Sequence, residues 1–104
     1  MISVNSKNNR LIRLTDERIK HIFNNHPEIS NALPWVIETI KDPDKILLGD
    51  FNELLAIKRY PKTPVTFDKY LTVVYKETND FDGFILTAYF CRKVNNKRKT
   101  LWQP

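Results

Sequence analysis

The 104-residue chain is 41% hydrophobic and 12% aromatic, enough for one modest core and too short for two domains. Seventeen Lys and Arg against twelve Asp and Glu leave a net charge of +5, which favours an anionic partner because clustered cations attract phosphates and release counterions on binding. The single cysteine, Cys91, excludes an intrachain disulfide and a cysteine-based zinc site, and no apolar run reaches membrane-spanning length.

Residues 1–104 are expected to form a single domain, with residues 1–9, polar and Asn-rich, as a flexible arm. The start "MISVNSKNNRLIRL" has no apolar core followed by a small-residue cleavage site. A cytoplasmic setting is therefore expected. "RLIRL" then alternates Leu or Ile with Arg, the period of a short half-buried strand.

Thr15 supplies an N-cap, and a first helix is expected from Asp16 to Asn25. Ile19, Ile22 and Phe23 make its apolar stripe. His26 falls on that same stripe, at the point where Pro27 stops the helix, while His21 points the other way. A second helix starts between Ser30 and Pro34 and runs to Lys41, with Leu33, Val36, Ile37 and Ile40 facing inward. "KDPDK" ends it.

The remaining segments "KILLGD", "NELLAIKRY", "KYLTVVYKE" and "GFILTAYFCRK" read as strands, joined by turns too short for helical crossovers. The expected fold is α+β, with two N-terminal helices packed on one face of a roughly four-stranded antiparallel sheet. In the last strand, alternation puts Phe84, Leu86, Ala88 and Phe90 in the core and Thr87, Tyr89 and Cys91 on the open face. Lys58 and Arg59 are adjacent, so at least one of them faces the open side. Thr72 and Tyr75 are expected there too, and Arg92 and Lys93 follow the last strand without a settled face.

Cations, hydroxyls and aromatic rings on one sheet face suit an RNA strand, whose phosphates take the charges and whose bases stack on the rings. RNA cleavage by the 2′-hydroxyl adds only a group near neutral pKa to move protons and a cation to stabilise the phosphate. His26 and the basic residues can supply these, with no metal and no cofactor. Each residue also has a plain structural role open to it. His26 can simply cap a helix end, Thr87 and Tyr89 can be good strand formers, Lys58 and Arg59 can be edge charges, and Cys91 can be packing.

"LTDERIKHIFNNHPEI", "VIETIKDPDKIL", "YLTVVYKETNDFDGFILTAYFCRK" and the terminal "TLW" resemble, in order and spacing, the phage- and plasmid-borne domains of the barnase, EndoU, colicin and RelE-like (BECR) nuclease superfamily. The resemblance runs from Leu11 to Trp102 and departs at Cys91, where a small hydroxyl residue is expected. It implies a metal-independent ribonuclease with His26 as acid or base, Thr87 and Tyr89 as phosphate contacts, and Arg59 as electrostatic support. Lys58, Tyr75, Arg92 and Lys93 then become candidate RNA contacts. The expected partners are RNA, tRNA included, and a cognate antitoxin or immunity protein, with no membrane. A non-catalytic RNA-binding module and a mobile-element adaptor are the competing readings.

Overall fold

In the computed structural model, which describes Met1–Pro104, the chain opens with a β-hairpin. Strand β1 (Ile2–Asn5) pairs antiparallel with β2 (Leu11–Leu14), and Asn9 takes the left-handed conformation in the turn, φ 62°. Asn tolerates that region better than most residues. The segment expected as a loose arm is thus an edge strand, and its Val4 joins the main core.

Helix α1 (Asp16–Asn25) begins where Thr15 Oγ1 accepts from the Arg18 amide at 3.2 Å. Asp16 and Glu17 in the first turn suit its positive end. It stops at His26, with Pro27 opening a 3-10 turn over Pro27–Asn31. Helix α2 (Leu33–Lys41) follows and ends at Asp42, ahead of Pro43. Strands β3 (Lys45–Leu48), β4 (Leu54–Lys62), β5 (Phe67–Glu77), β6 (Asp82–Cys91) and β7 (Thr100–Trp102) complete the chain. No helix is long and apolar enough to cross a membrane.

The sheet has seven strands in the order β1-β2-β6-β5-β4-β3-β7. It is mixed, because β2 runs parallel to β6 over Leu11–Arg13 and Asp82–Phe84 while every other pair is antiparallel. This overturns the four-stranded antiparallel expectation. The strands beyond those four are β1, β2 and β7, three or four residues long, and of these only β2 was expected as a strand, from "RLIRL". β1 and β7 are edge strands, each paired only with a four-residue strand, and segments so short carry little periodic signal of their own.

Side chains alternate between two apolar layers. Ala56, Leu71, Val73 and Tyr75 meet Ile22, Val36 and Ile40 from the helices in the main core. Leu47, Leu55 and Ile57 point the other way and form a second, smaller cluster. Since β6 and β7 are not neighbours, residues 92–99 must cross the outer face of the sheet between them. Val94 packs onto the second cluster as they do. Lys7, beside one edge strand, places Nζ 4.6 Å from the ring centroid of Trp102 on the opposite edge. The sheet therefore curls around α2, which packs against β1, β4 and β5.

A bulge corrects the reading of β6. Tyr75 pairs with Ile85 and Val74 with Thr87, so Leu86 is an extra residue. Parity reverses across it: Ala88 and Ile85 both lie in the core, at 0% and 1% exposure, whereas Phe84 is turned out at 37%. Alternation had assigned Phe84 to the core and left Ile85 outside. No glycine or proline marks the bulge in the sequence.

At the far end of β5, Glu77 is buried to 5% exposure and is surrounded by donors. Ser6 Oγ, Asn8 Nδ2 and Arg10 Nη1 reach its carboxylate at 2.8, 2.8 and 3.0 Å. This satisfied anion ties the β1–β2 hairpin to the β5–β6 hairpin.

Candidate functional site

His26 is placed by two local effects: the stripe of α1 turns it inward, and Pro27 ends the helix there. Its ring reaches the ring of Tyr89 on β6, with centroids 5.8 Å apart and planes tilted by 33°. The imidazole keeps 35% exposure, and its Nδ1 lies 3.8 Å from Glu28 Oε1. At that distance the carboxylate is a nearby negative charge rather than a hydrogen-bond partner.

Tyr89 projects from the outer face, opposite Thr72 of β5. Burial pushes its phenol above the ordinary value, and Cys91 adds to the effect, against opposing pulls from Arg98 and Thr72. The hydroxyl is therefore a neutral donor at physiological pH. The Thr72 hydroxyl also lies 3.5 Å from Cys91 Sγ.

Beside Tyr89 the outer face holds a recess of about 170 Å³. Leu55 and Ile57 form an apolar floor, and Lys93, Val94 and Arg98 of the crossing segment form the opposite wall. Arg98 is anchored by Asp50 at 2.8 Å and by the Leu48 carbonyl at 3.4 Å. The Asp50 bond raises its already high pKa, so it remains a permanent cation. A larger hollow, about 540 Å³, lies along α1 between Arg18, His21 and Asn24, with no hydrophobic residue in its lining. Lacking an apolar floor and any link to β6, it is groove surface rather than a formed site.

The other candidates separate. Thr87 is half-buried on β6, two residues before Tyr89 and on the same face. Arg92 and Lys93 are exposed beyond the strand, and Lys93 lines the recess. Tyr75 does not belong to the open face: it shares parity with Leu71 and Val73 and is completely buried in the core. Lys58 also faces the helix side, where Nζ donates to the Asp42 carbonyl at 2.9 Å and sits 3.7 Å from Asp44 Oδ1. Arg59 is on the outer face, but Asp68 holds its guanidinium and β5 separates it from β6. Neither basic residue of "IKRY" meets His26.

Arg98 is the lining residue that sequence reasoning passed over, while Cys91 and Thr72 were expected on the open face but given no role in the site. Thr72 was visible as an outward hydroxyl. Arg98 sits in a basic run that nothing local could place. No three His, Cys, Asp or Glu side chains are grouped as a metal would require. No family model, curated protein or solved structure matches this chain.

Proposed function

We propose that this protein is a small metal-independent endoribonuclease of the barnase, EndoU, colicin and RelE-like type, acting in the cytoplasm on cellular RNA. One observation carries the reading: a partly exposed histidine and a neutral tyrosine, from elements far apart in the chain, meet ring to ring on the surface of a basic protein, with a recess on the tyrosine's strand beside them.

In the proposed reaction His26 removes the proton of a 2′-hydroxyl and the resulting oxygen attacks the adjacent phosphorus. The bond to the 5′-oxygen breaks, Tyr89 gives that oxygen its proton, and a 2′,3′-cyclic phosphate remains. Lys93 and Arg92 offset the charge gathered on the phosphate, with Thr87 as a further hydroxyl contact. A protein of this activity is expected to be toxic when expressed, and to be held in check by an antitoxin or immunity protein.

Incubation of total RNA and tRNA in EDTA tests the reading. The expected result is cyclic-phosphate ends, with cleavage reduced about 10²- to 10⁴-fold by His26→Ala. Intact RNA, together with equal toxicity of wild type and His26→Ala, removes the catalytic reading.

One observation favours a binding module without chemistry. Arg13, Arg59 and Arg98 are held by Asp82, Asp68 and Asp50 rather than aimed at His26. In that case RNA binding is salt-sensitive, survives His26→Ala, and weakens when Arg92 and Lys93 are replaced.

A further inference from the structure

The recess under the crossing segment is not needed for proton transfer, yet it adjoins the residue that would carry it out. Tyr89 meets His26 on one side and lines the recess on the other. The volume, about 170 Å³, falls below the roughly 300–1,000 Å³ of pockets that enclose a drug-sized ligand. It has room for one ring system, with anything attached to that ring left outside.

Its chemistry is divided as a ring with a polar edge requires. Leu55 and Ile57 lie beneath and Val94 alongside, giving apolar surface for the ring faces. Polar groups gather at the rim. The Asn95 Oδ1 accepts from the Lys97 amide at 2.9 Å, which fixes the side chain and leaves Nδ2 to donate outward. Lys93 adds an exposed cation there, and Thr72, 3% exposed, sets a hydroxyl deeper in the recess, 3.5 Å from Cys91 Sγ.

We infer that this recess is a nucleobase pocket, which takes one base of an RNA strand while the adjoining phosphate lies at His26 and Tyr89. The inference rests on the RNA-cleaving reading and adds a source of sequence preference to it. An apolar side chain of a protein partner would fill the floor equally well, but it would leave the Asn95 amide, the Thr72 hydroxyl and the Lys93 cation without use. The cationic rim favours the nucleotide.

The full chain, with methyl groups isotope-labelled, is titrated with each of the four nucleoside 3′-monophosphates, with inorganic phosphate and with indole. Saturable shifts of the Leu55, Ile57 and Val94 methyls are expected with at least one nucleotide and not with phosphate. Val94→Trp, which fills the recess from the crossing segment, is expected to weaken that nucleotide about tenfold or more. Asn95→Ala, an exposed change with no core to disturb, is expected to level the differences among the four bases. Methyl shifts with indole alone, or with none of the probes, overturn the pocket. RNA cleavage without base preference and without these shifts would do the same while leaving the nuclease intact. Nucleotide-induced shifts without any cleavage would instead retain the pocket and remove the nuclease.

Discussion

Tyr75 and Tyr89 stand on adjacent strands of one sheet, and burial raises the phenol pKa of both. Tyr75 faces the helices, is completely buried, and has a hydroxyl with no hydrogen-bond partner. Tyr89 faces outward, half-buried, against His26 and a recess. The same electrostatic perturbation thus marks a packing residue in one place and a candidate proton donor in the other. What separates them is access, and a shifted phenol is informative only once a partner and an open path are found beside it.

Truncation should widen the contrast most. Tyr75→Ala is expected to cost about 3–5 kcal/mol in urea unfolding, as for other large core aromatics, and Tyr89→Ala clearly less. Equal losses would erase the distinction between core and site. Removing the hydroxyl alone gives the next largest effect. Tyr89→Phe should lower RNA cleavage about 10²-fold while stability stays within ~0.5 kcal/mol. Tyr75→Phe should leave cleavage unchanged and gain about 1 kcal/mol, since it deletes an unpaired buried group.

Alkaline pH sharpens the comparison further. A phenol whose folded pKa lies above its unfolded value near 10 stabilises the fold fully below that pH and loses the contribution as pH rises beyond it. Stability should therefore fall above about pH 10, and Tyr75→Phe should flatten the decline more than Tyr89→Phe, as the more deeply buried phenol dominates. The smallest effect is expected at Arg59. Its pair with Asp68 is exposed and screened by solvent, so Arg59→Ala should change unfolding slightly and cleavage hardly at all. A large loss of cleavage there would return Arg59 to the site.

The helices were legible because their signals are local: Thr15 caps α1, Pro27 and Pro43 stand just past the two helix ends, and the stripe Ile19, Ile22, Phe23 carries His26 with it. The sheet was legible only in its long strands. Tyr75 could have been placed by carrying the alternation of Leu71 and Val73 two residues further. Leu86 could not, because a bulge is set by how two strands twist against each other rather than by either sequence. The recess was invisible for a related reason. Its wall exists because β7 pairs with β3, which forces residues 92–99 across the face, and a three-residue strand announces no partner.

The brief parallel pairing of β2 with β6 carries a further consequence. It ends at Phe84, so on that side the run "ILTAYFC", Ile85 to Cys91, has no neighbouring strand, and α1 is the element that packs against β6. The run is uncharged, apolar and rich in strand formers, the composition that templates intermolecular pairing when laid bare. Helix α1 therefore acts as a guard for an aggregation-prone edge as well as the carrier of His26. Detachment of that one helix would part His26 from Tyr89 and expose the edge in a single event, so loss of the proposed RNA cleavage and the onset of self-association should share one midpoint on heating.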